Sequence, residues 1–147
     1  MTTEFDDICL IAEKAALKLI ARAEQNSFRL ALKLEQKGFD SAVVKEVISR
    51  LLDRNLLNDE RFAELWVRSR LSQGKSPRWL FASLRRKGID RNTSQKALEK
   101  VLDSETEYTL LLRHLEKAGI SENGDVPRAA LKSEGFSGMV LDNYYSL

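Results

Sequence analysis

One cysteine and one histidine, Cys9 and His114, are all that the chain offers for soft-metal ligation or nucleophilic attack. A structural zinc site takes four such ligands, and a nucleophile needs an adjacent base that is itself oriented by a third group. His114 stands beside Arg113 and Leu115 with no second histidine at helical spacing, which reads as a surface or packing residue. Cys9 lies in an apolar stripe and reads as a small hydrophobe, with no partner for an internal disulfide. The segment Gln73-Gly74-Lys75-Ser76 resembles the end of a phosphate loop but lacks both the upstream glycine and the preceding strand. Asp59 and Glu60 fit the first turn of a helix, where they offset its dipole, better than general acid and base roles. These groups predict no enzyme, no metal and no cofactor.

Charge is the remaining chemistry. The 147 residues carry a net charge of only +2, but residues 59–102 hold eleven bases against five acids, a net +6, whereas residues 1–58 are neutral and 103–147 carry −4. The bases concerned are Arg68, Arg70, Lys75, Arg78, Arg85, Arg86 and Lys87, with Arg91 and Lys96 beyond them. Arg85 and Arg86 near a helix C-terminus partly compensate the dipole, which leaves most of the set unexplained. A concentrated positive surface raises the local potential towards phosphates or acidic protein, and the shared helical geometry is expected to gather these side chains on one edge. Trp66 and Trp79 keep helical spacing with Phe62 and Leu80 and are expected in the core rather than as base-stacking platforms. A second reading comes from residues 85–95, which have the outline of a helix-turn-helix; on it Arg91, Asn92, Thr93, Gln95 and Lys96 read a DNA groove.

The elements that position these residues repeat. Leu30, Leu34, Lys37, Gly38, Phe39 and Asp40 recur fifty residues later as Leu80, Leu84, Lys87, Gly88, Ile89 and Asp90, and more weakly as Leu131, Gly135 and Phe136, with Pro127 in place of Leu80. Each copy is an apolar helix ending in Gly followed by a large apolar residue, the order of a left-handed helix terminus. Around it, Ile8, Ile11, Ala12, Ala15, Leu19, Ile20 and Ala23 predict a helix, as do Val44, Val47, Ile48, Leu51 and Leu52. Asn58 is a candidate N-cap for a helix with Phe62, Leu65, Trp66 and Ser69 inward, and Ser76-Pro77 opens one with Trp79, Leu80, Ser83 and Leu84 inward. Asn92 with Gln95, and Ser104 with Glu107, resemble capping boxes for helices burying Ala97, Leu98, Val101 and Leu102, and Leu111, Leu112 and Leu115. No alternating run predicts a strand.

The expected fold is all-α: three tandem three-helix repeats, residues 1–57, 58–103 and 104–147, forming an elongated, curved array. Ordering about 50 residues costs roughly 75 kcal/mol and needs on the order of 3000 Å² of apolar burial, which a single repeat barely reaches, so neighbours are expected to share a core. The acidic opening Met1 to Asp7 and the charges Glu13, Lys14 and Lys18 exclude a signal peptide or membrane span at that end, which predicts a cytoplasmic protein.

The run Leu57-Asn58-Asp59-Glu60-Arg61-Phe62-Ala63, followed by Arg68-Ser69-Arg70, Gly74-Lys75-Ser76-Pro77, Leu84 and Lys87-Gly88-Ile89, resembles the central signature of the bacterial RecX regulatory proteins. Arg22, Ser27, Leu34 and Lys37-Gly38-Phe39 resemble that family's opening repeat. The resemblance implies tandem three-helix repeats and a non-enzymatic regulator of DNA repair and recombination. Such a protein lodges as a monomer in the groove of the RecA filament on single-stranded DNA and inhibits its ATPase and strand exchange, with at most weak direct DNA binding. The family carries Arg or Lys at positions matching Arg68, Arg70, Lys75 and Lys87, which makes these the first candidate contacts. Arg78, Arg85 and Arg86 join them on charge alone.

Overall fold

In the computed structural model, residues 3–120 and 125–146 are described, so the acidic opening is followed only from Thr3 onward. Among the described residues there are nine α-helices and no strand: α1 Glu4–Arg22, α2 Ser27–Gln36, α3 Ser41–Asp53, α4 Asp59–Arg70, α5 Pro77–Arg86, α6 Arg91–Val101, α7 Ser104–Lys117, α8 Arg128–Ser133 and α9 Gly138–Tyr145, with a 3-10 turn at Leu71–Gln73. The repeat is visible in the turns. Gly38, Gly88 and Gly135, after α2, α5 and α8, have φ of +97°, +90° and +93°. Where α2 and α8 end, the next amide donates back to the helix, Phe39 N to Leu34 O at 3.3 Å and Phe136 N to Leu131 O at 3.4 Å. The fold is thus an all-α array of repeats.

The chain divides by contacts into two compact units, Met1–Phe62 with Lys87–Ile89, and Ala63–Arg86 with Asp90–Leu147. In the first unit the core comprises Cys9, Ala12 and Ala16 of α1, Leu30 and Leu34 of α2, Val43, Val44, Val47 and Leu51 of α3, and Leu57. This corrects part of the face expected for α1: Ala12 is fully buried and Ala15, Leu19 and Ile20 pack against the core, but its other members lie outside it. Ile8 and Ile11 are 37% and 60% exposed, and Ala23 is exposed, because the helix is rolled to present its small residues inward. Small side chains let two helix axes approach closely, and α1 packs most extensively on α3. Asp59 serves this unit as well as its own helix: the Ser27 amide donates to its carboxylate at 2.7 Å, and the Ser27 hydroxyl donates to its other oxygen, closing the first turn of α2.

In the second unit Leu80 and Leu84 of α5 are fully buried, as are Leu111 of α7 and Leu141 of α9. The first turn of α5 accounts for all its exposed donors: Pro77 has none, Arg78 N donates to Glu134 O at 2.8 Å, and Trp79 N donates to the buried Ser76 hydroxyl at 3.2 Å. The cap expected at Asn58 is present too, with Arg61 N donating to its side-chain oxygen at 2.9 Å. Pro127 does not interrupt a helix. It is the residue before α8, which is shortened to six residues.

Two caps differ from expectation. The cap of α6 is Asp90, not Asn92, and that of α7 is Asp103, not Ser104; Thr93 N and Thr106 N donate to these carboxylates at 2.7 and 2.8 Å. Glu107, expected in a capping box, is buried and instead accepts from Ser137 N at 2.9 Å, at the head of α9. The backbone and hydroxyl of Thr93 hold the Asp90 carboxyl below the usual carboxylate range, and those of Thr106 do the same for Asp103. A carboxyl depressed in the folded state contributes stability that is present above its unfolded value near about pH 4 and is lost as pH falls through the folded one. Asn keeps the capping oxygen and does not titrate. Asp90→Asn together with Asp103→Asn is therefore expected to flatten the acid limb of a urea-midpoint profile below about pH 4. An unchanged limb refutes this assignment.

Candidate partner-binding surface

The basic residues of the second unit stand on α4, on α5 and on the turn between them. On α4 the inward residues are Ala63 and Val67, not the expected Phe62, Leu65, Trp66 and Ser69; Leu65 is 48% exposed and Trp66 is half-buried. Trp79 is half-buried as well. Neither indole belongs to the core, because the buried face of α4 is taken by small residues one position further along and that of α5 by Pro77, Leu80, Ser83 and Leu84.

Both indoles carry a cation. The Arg70 guanidinium lies 3.8 Å above the centre of the Trp66 ring, and the Lys75 ammonium 4.9 Å above that of Trp79. The Trp66 Nε1–H donates to the buried Ser83 hydroxyl at 3.0 Å, which fixes the ring against α5. Each such pair is worth roughly 0.5–1 kcal/mol at a partly exposed site, and its effect here is to hold a charged head over a flat aromatic plate. The signal for this was present in the sequence, since Trp66 and Arg70, and Lys75 and Trp79, are each four residues apart.

Helical rotation of about 100° per residue places the others. On α5, Trp79 lies beside the buried face, while Arg78, Arg85 and Arg86 fall within about 100° of one another on the exposed side. Arg68 points away from the packed face of α4 and is exposed. Lys87 falls in the first unit. The second unit thus shows two cations held over indoles, Arg70 and Lys75, and an exposed side of α5 carrying Arg78, Arg85 and Arg86. Among the described residues Arg68, Arg78 and Arg86 enter no ion pair, in contrast to Lys100, which is held by Glu64 at 3.0 Å. Arg78 also lines a cavity of about 520 Å³ with Phe81, Gln95, Glu99 and Met139.

The helix-turn-helix positions are partly committed elsewhere. Thr93 serves the Asp90 cap and Gln95 donates to Glu99 at 3.2 Å, while Arg91, Asn92 and Lys96 are exposed. His114 has a packing role: its Nδ1 is 3.2 Å from the Gly74 carbonyl, which can only accept, and its ring lies 5.6 Å from that of Phe136. Cys9 is fully buried, and burial pushes its thiol up, away from the reactive thiolate. Among the described residues no cluster of three or more His, Cys, Asp or Glu side chains has metal-binding geometry, and no helix is long and apolar enough to cross a membrane.

These features define a class: an all-α protein of tandem three-helix repeats whose exposed chemistry is cationic. Residues 12–51 match the family model for the first three-helix domain of RecX, and residues 58–98 that for the second. The regulatory protein RecX of Treponema pallidum (strain Nichols) is 37% identical over 110 residues, 74% of this chain and 67% of that one. The regulatory protein RecX of Mycobacterium sp. (strain KMS) is 44% identical over 91 residues, 61% of this chain and 50% of its own length. A crystal structure of RecX from Lactobacillus salivarius superimposes with a TM-score of 0.71 over 95% of this chain and 96% of that one, at 24% identity. The chain belongs to the RecX family, whose relatives here are named regulatory proteins.

Proposed function

We propose that this chain binds the RecA filament assembled on single-stranded DNA, within its helical groove, and inhibits ATP hydrolysis and strand exchange. The observation that carries the reading is the family membership joined to the +6 charge of residues 59–102, with Arg70 and Lys75 held outward over indoles. Contacts made by successive repeats multiply individually weak affinities. A ligand that fits one arrangement of the filament better than the others draws the population to it, and so slows a cycle that must pass through several. The roles of Arg68, Arg70, Lys75, Arg78, Arg85, Arg86 and Lys87 as contacts to RecA or to the DNA belong to this proposal, as do a monomeric state and a place in the cytoplasm.

The test is a titration of RecA ATPase activity on single-stranded DNA. Inhibition below one chain per RecA protomer is expected, with strand exchange lost in parallel. Unchanged ATPase and strand exchange at saturation refute the reading. Sequence-discriminating binding to free duplex, with a salt slope of about 0.9 per phosphate neutralised, points instead to a DNA-binding module reading through Arg91, Asn92 and Lys96.

A further inference from the structure

The flank of α1 that leaves Ile11 outside, with Ala15 and Leu19 half-buried against the core, is the floor of a second surface feature. Ile11, Ala15 and Leu19 follow one another along α1 at helical spacing, and Ile11 is 60% exposed. They line a groove of about 400 Å³ whose other walls are Lys14, Lys18 and Arg22 of α1 and Lys37 at the end of α2. Four cations and no acid surround an aliphatic strip. Among the described residues none of the four is in an ion pair, whereas the acid at Glu13 is engaged by Arg54. The fold does not need the exposed part of this arrangement: α1 is anchored through Cys9, Ala12 and Ala16, with Ala15 and Leu19 packed partly against the same core and Ile11 left outside.

We infer that this groove docks an acidic peptide segment bearing a large apolar side chain, the apolar group lying on Ile11, Ala15 and Leu19 and its flanking carboxylates meeting Lys14, Lys18, Arg22 and Lys37. Charge complementarity selects an anionic partner, and the floor selects among anions. It holds neither an aromatic ring for a base to stack on nor a hydrogen-bonding group to meet a base edge, so a nucleic acid gains only its phosphate contacts there. A lipid surface requires a helix free to lay a broad apolar face into the bilayer boundary, and here only Ile11 of the strip is well exposed, Ala15 and Leu19 being half-buried against the core. An acidic segment with an apolar anchor uses both parts of the groove. This inference is independent of the RecA reading, since the partner is defined by its chemistry alone.

The experiment is fluorescence anisotropy of the full chain with a labelled peptide, Asp-Glu-Asp-Leu-Phe-Asp-Glu, and with a second peptide carrying Ser in place of Leu and Phe. The first is expected to bind saturably and at least about tenfold more tightly than the second, from the burial of two large apolar side chains. Ile11→Ser is expected to weaken the first peptide about five- to tenfold and leave the second unchanged, whereas Lys18→Glu weakens both and lowers the salt dependence. Both substituted positions are exposed, and unchanged circular dichroism confirms the fold. No saturable binding of the first peptide overturns the inference, as does equal affinity for the two. Tighter binding of an oligothymidylate or of phosphatidylserine vesicles, weakened by Ile11→Ser while peptide binding is not, overturns it in favour of that partner. None of these outcomes bears on RecA inhibition, which is read separately.

Discussion

Replacing Gly88 by alanine is expected to destabilise the protein by about 2–4 kcal/mol, several times the cost of the same change at Gly38. The two glycines occupy the same place in successive repeats and have nearly the same backbone, φ +90° and +97°. An L side chain in that region costs roughly 1 kcal/mol at either site. Their surroundings differ. A Cβ at Gly38 meets nothing within 4 Å, whereas one at Gly88 falls 2.4 Å from Cγ and Cδ1 of Phe28 and 2.6 Å from its Cβ. Ring rotation does not relieve the last contact, because a Cβ is tied to its backbone; either α2 or the Lys87–Ile89 turn has to move. Urea denaturation followed by circular dichroism measures both variants. Phe28 is 52% exposed, so Phe28→Ala alone costs little; it removes the ring but keeps the Cβ, so the pair Phe28→Ala with Gly88→Ala is expected to recover only the ring's share of the added loss. Equal destabilisation at Gly38 and Gly88 refutes the clash.

The largest functional effect is expected from reversing charge on α4. On the proposed reading, the double variant Arg68→Glu, Arg70→Glu raises the concentration that half-inhibits RecA ATPase at least about tenfold, equivalent to about 1.4 kcal/mol of binding free energy. The helicity is expected to stay unchanged, since Arg68 is exposed and Arg70 forfeits its contact with Trp66 and an exposed 3.4 Å hydrogen bond to the Ser69 hydroxyl. Because the two residues point to different sides of α4, the single variants separate the faces. A loss confined to Arg70→Glu assigns the contact to the indole-backed side shared with Lys75, and a loss confined to Arg68→Glu assigns it to the opposite side. Full inhibition by the double variant removes α4 from the interface.

Relatives in the same family account for the readable part of the site: the signature from Leu57 to Ile89 marked which repeat holds the cations, and their count follows from composition. Which side of α5 they stand on did not follow, because it depends on which side of that helix is buried. The indoles illustrate the same point. Trp66 satisfies helical spacing with Phe62 as well as any core residue does, and only the packing of Ala63 and Val67 turns it outward beneath Arg70. The caps of α6 and α7 were misplaced for a local reason. Asn92 with Gln95 and Ser104 with Glu107 match the capping pattern, but Asp90 and Asp103, each followed by Thr three residues later, offer a carboxylate to the same turn and start the helix two residues earlier than expected in the first case and one in the second.

The sequence by itself determined the helical class, the fifty-residue recurrence, the cap at Asn58, the Ser76-Pro77 opening and the glycine-ended helices. Apart from the recurrence, which is a comparison of such local patterns, each of these is settled by residues within about five positions of one another, so the information is already adjacent along the chain. Tertiary structure alone decided which stripe of α1 and of α4 is buried, and hence which apolar residues stay at the surface. Several stripes on each helix are apolar enough to pack, and the choice falls to the one whose small side chains admit a neighbouring helix from elsewhere in the chain most closely.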